Sequence, residues 1–122
     1  MKIRDIAFTG YPVTDLQRAR DFYETVLGLV PSWIHDKGEQ GSWIEYELGS
    51  GTFAISNIAK DWKPSSDGPS IAFEVEDFDS TIAELKAQHV RFGIEPFTTE
   101  VCRMALITDP DGNLLIIHKL HS

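Results

Sequence analysis

The sequence predicts an α+β fold made of two tandem βαβββ modules. The first observation is an internal repeat, because Val13-Thr14-Asp15-Leu16 matches Val75-Glu76-Asp77-Phe78 at an offset of 62 in a chain of 122 residues. The second is that each copy follows a strand-like run and precedes apolar residues at helical spacing. The third is that three short strand patterns follow each helix. A repeat of about half the chain length indicates one structural unit that occurs twice.

The first half begins with a predicted strand over residues 3–12. Thr14 and Gln17 then have the spacing of a capping box, and Gly28 ends the predicted helix. Apolar residues mark the helical face: Leu16, Ala19, Phe22, Tyr23, Val26 and Leu27. Strands follow at 31–35, 43–48 and 52–57, and glycines between the last two indicate a hairpin.

The second half begins with a predicted strand over residues 70–75. Asp77, Asp79 or Ser80 caps a helix that carries Ile82, Ala83 and Leu85, and His89 stands where a terminating glycine is expected. Strands follow at 92–97, 101–108 and 113–119, and Asp109-Pro110-Asp111-Gly112 is a strong turn sequence. We expect one domain over 1–122, with module 1 at 1–60, a linker at 61–68 and module 2 at 69–122.

The composition narrows the classes of partner. The chain has 11 Lys and Arg against 19 Asp and Glu, a net charge of -8, which disfavours nucleic acid and anionic membranes and suits a neutral or cationic small molecule. A single cysteine excludes an intrachain disulfide and fits a reducing compartment. No apolar run has the length of a membrane helix, so we expect a cytoplasmic protein.

Several motifs of the chain resemble the vicinal oxygen chelate superfamily, which includes glyoxalase I, bleomycin-resistance proteins and ring-cleaving dioxygenases. The resemblance covers essentially the whole chain, and the motifs that carry it are the Val-x-Asp motif at Val13-Thr14-Asp15, Arg20-Asp21-Phe22-Tyr23 with Leu27-Gly28-Leu29, Ile71-Ala72-Phe73-Glu74-Val75-Glu76-Asp77, and Asp109-Pro110-Asp111-Gly112-Asn113. It implies that two modules surround a U-shaped cleft, and that the two modules come from one chain or are exchanged between the subunits of a dimer. It also implies a homodimer. It does not imply one activity, because this fold hosts many chemistries.

The resemblance also implies where metal ligands would stand. Metal-using members carry ligands on the first and last strand of each module, and these positions correspond to Phe8, Ala54, Ser70 and Ile116. The four residues lack the carboxylate, imidazole and thiolate donors that divalent metals need. We therefore expect no metal cofactor, with a divalent metal at a non-standard site of Glu45, Glu74 and His118 as the alternative.

Strand alternation predicts the rest of the cleft face. If Phe8 and Ser70 face the cleft, Gly10, Ala72 and Glu74 do so too. Pairing Thr108 with Asn113 sets Ala105 opposite Ile116 and Arg103 opposite His118, and leaves Cys102, Met104 and Leu106 on the helix side. In the first half, Glu45 lies opposite Ala54 and Trp43 opposite Ser56. The predicted ligand-binding set is Phe8, Trp43, Glu45, Ala54, Ser56, Ser70, Glu74, Arg103, Ile116 and His118.

Two functions follow, and they belong to different classes. The first is metal-free binding of a small molecule, with cationic or aromatic compounds as the candidates and with no nucleic acid and no membrane as partner. The alternative is a lyase-, isomerase- or dioxygenase-type enzyme that acts on a small oxygenated metabolite and uses Glu45, Glu74 or His118, with or without a displaced divalent metal. A protein-interaction module is a third possibility. Plainer interpretations stay open: a cross-strand ion-pair set for the charged residues, a solvated terminal His118, a buried inert Cys102, and core or interface positions for Phe22, Tyr23 and Trp33.

Overall fold

Each half of the chain folds into a four-stranded mixed sheet with one helical segment. The computed structural model describes residues 1–122, which divide into unit 1, residues 1–64, and unit 2, residues 65–122. Unit 1 contains β1 Thr9–Pro12, α1 Leu16–Arg20 with a π-helical continuation Asp21–Val26, β2 Pro31–Asp36, a 3₁₀ turn Gly38–Gln40, β3 Ser42–Leu48 and β4 Gly51–Ser56. Unit 2 contains β5 Ile71–Glu74, α2 Phe78–Ala87, β6 Phe92–Thr98, β7 Cys102–Thr108 and β8 Leu114–Leu120. Neither helix is long and apolar enough to cross a membrane.

The two sheets have the same topology. Their strand orders are β1-β4-β3-β2 and β5-β8-β7-β6, with the first and last strands of each unit parallel and the other neighbours antiparallel. The parallel pairs preserve the sequence offset of 62, because Gly10 pairs with Ala54 and Ala72 pairs with Ile116. The predicted α+β class and the two βαβββ modules are confirmed.

The core of unit 1 lies on one face of its sheet. Ile44, Tyr46, Phe53 and Ile55 are almost completely buried, as the alternation on β3 and β4 predicts. Tyr23 from the π-helical segment packs on Phe53, with ring centroids 5.1 Å apart. The helix covers this face, and the alternate residues of the same strands lie on the opposite, open face.

Aspartates at equivalent positions begin the two helices. Asp15 accepts a hydrogen bond from the Arg18 N–H at 3.0 Å, and Asp77 accepts one from the Ser80 N–H at the same distance. Hydrogen bonds from Ser80 also lower the pKa of Asp77. The predicted capping box was therefore one residue early, because the Asp of the repeated Val-x-Asp motif is the cap in both units.

The first helix widens after one turn. Leu27 N–H donates to the Phe22 carbonyl five residues earlier, so residues 21–26 form a π-helix instead of the predicted continuous α-helix. The wider turn accompanies the burial of two successive aromatic residues, Phe22 and Tyr23. Gly28 then ends the segment at φ 75°, as predicted.

The first strand is much shorter than the sequence predicts. β1 begins at Thr9, which pairs with Phe53, and its neighbour β4 begins at Gly51. Continuing this register leaves no β4 residue opposite residues 3–6. The apolar Ile3 and Ile6 are accordingly exposed, since no strand is available to pair with them.

The pairing of β7 with β8 corrects the predicted register by one residue. Thr108 pairs with Leu114, not Asn113, and Asp109 N–H donates to the Asn113 carbonyl. The Asp109 carboxylate also accepts hydrogen bonds from the N–H groups of Asp111 and Asn113, each at 2.9 Å. These bonds make Asp109 and Asn113 the closing pair of a three-residue loop.

This shift exchanges the two faces of β7, because strand side chains alternate. Ala105 pairs with Ile117 and Ile107 pairs with Leu115, and all four side chains are buried on the helix face. Arg103 lies on that face with them, whereas Met104 and Leu106 lie on the open face, where alternation also places Cys102. The predicted faces of β8 are correct.

A half-buried carboxylate joins the first helical segment to β3. Glu24 accepts two hydrogen bonds from the Arg20 guanidinium, at 2.7 and 3.0 Å, and one from the buried Tyr46 hydroxyl at 2.8 Å. Burial acts to raise the pKa of Glu24, but the hydrogen bonds from Arg20 and Tyr46 outweigh it, so the pKa is lowered. The same burial and hydrogen bond raise the pKa of Tyr46.

We expect Glu24→Gln to lower the free energy of unfolding by about 1–3 kcal/mol at neutral pH, because the neutral amide weakens the charge-assisted hydrogen bonds that Glu24 accepts from Arg20 and from the buried Tyr46 hydroxyl. Because the folded pKa of Glu24 lies below its ordinary value of 4.5, this stabilisation is present above that value. It disappears as the pH falls through the lowered pKa. Urea unfolding of both proteins at neutral and acidic pH measures the difference, which should shrink in acid.

The exposed helical residue Glu84 provides the matched control for this prediction. Glu84→Gln should leave the free energy of unfolding within about 0.5 kcal/mol of the wild type at either pH. An equal loss in the Glu24 and Glu84 variants, or a difference that does not change with pH, would contradict the role given to Glu24.

The second helix ends at a residue in the left-handed conformation. His89 has φ 60°, its N–H donates to the Lys86 carbonyl, and the Val90 N–H donates to the Leu85 carbonyl. These two bonds form a Schellman motif, in which the left-handed position is usually glycine. His89 therefore occupies the place of the terminating glycine, as the sequence indicates.

Replacing this histidine with glycine should stabilise unit 2. A side chain at φ 60° costs about 1 kcal/mol, so we expect His89→Gly to raise the free energy of unfolding by up to that amount. His89→Ala retains the Cβ and should give no comparable gain. Urea unfolding midpoints measure both, and a destabilised glycine variant would show that the imidazole itself stabilises the helix end.

Candidate functional site

The open face of the unit 1 sheet carries a cluster of rings, which we call the aromatic face: Phe8, Trp33, His35, Trp43 and Trp62. Phe8 and Trp43 meet edge to face, with centroids 5.0 Å apart and planes at 88°. Trp33 and His35 on the edge strand β2 stack at 5.5 Å with planes at 13°. Cross-strand pairing of His35 with Trp43 places these rings on one side of the sheet.

The backbone at Gly10 leaves space for two of these rings. A Cβ at this position would lie 3.0 Å from Cη2 of Trp62 and 3.2 Å from Cε1 of Phe8. Because Gly10 pairs with Ala54, which is 1% exposed, two small residues form the floor beneath the rings. All three tryptophans of the chain therefore lie on the open face of unit 1.

One carboxylate lies among the rings. Glu45 pairs directly with Trp33 across the strands, and its Oε2 accepts a hydrogen bond from Nε1 of Trp43 at 2.8 Å. Glu45 also pairs with Ala54 on β4, as predicted. The tryptophan thus holds the carboxylate in place on the aromatic face, with its charge next to two indole rings.

Ser56 also lies where the register predicts, opposite Trp43. It is buried, and its hydroxyl donates to the Ser42 carbonyl and accepts from the Ile58 N–H. These bonds connect neighbouring backbone segments, so the hydroxyl is already used in holding the site's framework.

The open face of the unit 2 sheet combines an acid–base pair with apolar side chains. Nδ1 of His118 and Oε1 of Glu74 are 2.5 Å apart, and Oε2 of Glu74 accepts the Leu120 N–H at 2.9 Å. These two hydrogen bonds lower the pKa of Glu74. The apolar residues that share this face by strand pairing are Ala72, Ile94, Phe97, Met104, Leu106 and Ile116.

Two further predicted site residues have different surroundings. Arg103 pairs with Lys119 rather than His118, and its guanidinium lies 4.5 Å from the Phe78 ring centroid and 2.8 Å from Oδ1 of Asp79. It therefore stabilises the start of α2 on the helix face, and its assignment to the open face was wrong. Ser70 lies just before β5 and is half-buried.

The residues at the positions implied for metal ligands do not fit a divalent cation. Phe8, Ala54, Ser70 and Ile116 offer one hydroxyl among them. The structure brings no group of three or more His, Cys, Asp or Glu side chains together in a metal-binding arrangement. Glu74 and His118 form a pair, which is fewer than the three protein ligands typical of catalytic metal sites.

Sequence reasoning missed three members of the aromatic face. Trp33 was interpreted as core or interface, Trp62 falls in the predicted linker at 61–68, and His35 was not among the predicted site residues. The alternation of Trp33 and His35 on one strand is a signal that was available in the sequence. Nothing in the local sequence indicates that Trp62 packs over Gly10.

Comparison with known proteins assigns the family. The model of the Glyoxalase/Bleomycin resistance protein/Dioxygenase superfamily matches residues 5–117. The chain belongs to this superfamily. A curated relative is the uncharacterized protein YraH of Bacillus subtilis strain 168, which is 30% identical over 118 residues, with coverage of 88% of this chain and 92% of the relative.

Solved structures of the superfamily fold are similar to this one. TnmS3, an antibiotic binding protein from Streptomyces sp. CB03234, has a TM-score of 0.82 at 23% identity and covers 99% of both chains. The trypanothione-dependent glyoxalase I of Leishmania major has a TM-score of 0.77 at 23% identity, with coverage of 96% of this chain and 87% of that chain. One neighbour is a binding protein and the other an enzyme, so the fold alone does not choose between the two functions.

We expect Gly10→Val to displace Trp62 and Phe8 from the aromatic face, because both rings lie within 3.2 Å of a Cβ there. Overpacking of this kind costs about 1–3 kcal/mol when the rings cannot move, and less when they can. Two-dimensional NMR of the three indole N–H groups should show the Trp62 signal shifted. Gly93→Val, where the nearest atom is 3.7 Å away, is the control that should leave all three indoles unchanged.

Proposed function

We propose that this protein binds a small, flat, positively charged aromatic molecule on the aromatic face of unit 1. The observation that carries the proposal is the arrangement of Trp33 and Trp43 around Glu45. Aromatic walls with a few directed polar groups are typical of small-molecule sites. The proposal requires no metal, in keeping with the residues at the four implied ligand positions.

The rings provide the shape of the site. Phe8, Trp33 and Trp62 are between 38% and 52% exposed, which leaves large apolar surfaces open on one side of a sheet. Grouped apolar patches on a protein surface commonly mark binding sites, whereas single exposed apolar residues do not. Indole rings that pack against neighbouring rings favour flat ligands, because a flat ligand can stack on them or meet their edges with little rearrangement of the side chains.

The charge of the site favours a cation. Indole faces attract cations, and the Glu45 carboxylate adds a formal negative charge between two of them. The chain's net charge of -8 acts in the same direction at longer range. The description of the similar structure TnmS3 as an antibiotic binding protein supports a binding role, since it shows that this fold can serve one.

Tryptophan fluorescence tests the proposal directly, because all three tryptophans belong to unit 1. We expect saturable quenching by 1-methylquinolinium, and binding weaker by about tenfold for the neutral 2-methylnaphthalene, which lacks the cation–carboxylate interaction. A thermal-shift screen with other cationic aromatics extends the search for the natural ligand. Equal affinity for the cation and the neutral compound, or no saturable quenching, would overturn the proposal.

Two variants separate the contributions of ring and charge. Glu45→Gln should remove the preference for the cation while leaving 2-methylnaphthalene binding unchanged. Glu47→Gln is the matched control, because Glu47 lies two residues further along the same face of β3 and is exposed. Trp43→Ala should weaken binding of both compounds.

A second candidate is an enzyme of the lyase or isomerase class on a small oxygenated metabolite. One observation favours it, the hydrogen bond between Glu74 and His118 on the open face of unit 2. A carboxylate that holds an imidazole in this way is a recurrent element of acid–base catalysis. Elemental analysis of protein purified without chelators complements an activity screen, since stoichiometric zinc, nickel or iron would point to metal-dependent chemistry.

The homodimer and the cytoplasmic location remain predictions. The division into one domain with a linker at residues 61–68 likewise stays a prediction.

A further inference from the structure

We propose that the open face of the unit 2 sheet binds a small apolar molecule that carries one acidic O–H group, a phenol or an enol, which donates its hydrogen bond to Nε2 of His118. The inference deepens the second candidate function, on which it rests, and does not depend on ligand binding by the aromatic face of unit 1.

The hydrogen bond to Glu74 orients the His118 imidazole. Nδ1 of His118 faces Oε1 of Glu74, and since a carboxylate only accepts hydrogen bonds, Nδ1 carries the proton. With the proton on Nδ1, the imidazole has its lone pair on Nε2 whenever the ring is neutral. Nε2 has no hydrogen-bond partner within the chain, and the His118 side chain is 24% exposed, so an external donor can reach it.

Both oxygens of the neighbouring Glu74 carboxylate already accept hydrogen bonds within the chain. Glu74 uses one oxygen for His118 and the other for the Leu120 N–H. Its negative charge next to the imidazole disfavours an anionic ligand, because like charges close together repel. A neutral O–H group is therefore the best complement to Nε2.

An apolar surface lies beside the His118 imidazole. Met104 pairs directly with His118, and Ile116 precedes it on the same strand face. Phe97 on β6 pairs with Met104 on β7 and is 38% exposed. A compact apolar body can pack on these side chains while its O–H group points at Nε2.

The O–H group determines what the site can do with its ligand. A phenol, with a pKa near that of tyrosine at about 10, keeps its proton and donates a hydrogen bond. An enol that is more acidic than the imidazolium transfers its proton to Nε2 and becomes an enolate. Glu74 then faces the imidazolium, which stabilises the transferred proton, and no other reactant is needed.

Methionine labelling gives a local probe, since the chain contains only Met1 and Met104. We expect 4-methylphenol to shift the ¹³C-methyl signal of Met104 saturably in the full-length protein and to leave the Met1 signal in place. We expect 4-methylanisole, which has nearly the same shape but no donor, to bind about tenfold more weakly. Equal affinities, or no saturable Met104 shift, would overturn the proposal.

Variants test the same contact from the protein side. His118→Phe retains an aromatic ring without the acceptor and should weaken 4-methylphenol binding by about tenfold without affecting 4-methylanisole. Glu74→Gln should weaken 4-methylphenol binding by less than His118→Phe does. His121→Phe is the matched control, because His121 follows β8 and its Nε2 lies 3.0 Å from the Thr99 carbonyl instead. Unchanged phenol binding in His118→Phe would also overturn the proposal.

The readouts keep the hypotheses separate. The three tryptophans belong to unit 1 and Met104 belongs to unit 2, so the two signals arise from different units. Binding of 4-methylphenol without turnover of any enol supports the inferred site and counts only against the enzyme hypothesis. Turnover of an enol that persists in His118→Phe would place the chemistry elsewhere and overturn the inferred site.

Discussion

The alternation of side chains along each strand, fixed by register, is the constraint on which both candidate sites depend. In each unit one face of a four-stranded sheet is covered by a helix, and every second residue lies on the other, open face. Burial of Ile44, Tyr46, Phe53 and Ile55 in unit 1 therefore fixes the opposite orientation of Trp43 and Glu45. A register shift by one residue would expose the core side chains and bury the site side chains. The strand register therefore determines both the packing of the core and the exposure of the site.

The turns at the strand ends set that register, and they differ between the units. In unit 1 Leu48 pairs with Gly51 across a two-residue turn. In unit 2 the Asp109 carboxylate binds two backbone N–H groups and closes a loop of three residues. The repeat of 62 residues thus holds for the parallel strand pairs and fails by one residue in the second hairpin. This difference places Met104 beside His118 and turns Arg103 towards α2.

The same fold presents two chemically different open faces. Unit 1 has large aromatic rings around a carboxylate, which suits a flat cation, and unit 2 has aliphatic side chains beside an imidazole oriented by a carboxylate. Neither face offers a set of three metal ligands. The binding hypothesis therefore has its candidate site on unit 1, and the acid–base hypothesis has its candidate site on unit 2. The superfamily itself includes both binding proteins and enzymes.

The sequence by itself determined the two modules, the repeated Val-x-Asp motifs that precede the two helices, and the faces of β3, β4 and β8. The repeated motifs and the alternation along single strands are sufficient for these, whereas the faces of β7 depend on the number of residues in the loop that Asp109 closes, which the turn sequence left open. Only the tertiary structure decided the register of β7, the start of β1 and the π-helical segment. It also decided the positions of Trp33 and Trp62. Trp33 lies on the edge strand β2 and Trp62 lies in a loop, and the contacts of both depend on how the sheet folds. Trp62 reaches the aromatic face because Gly10, far away in sequence, leaves a space that only folding creates.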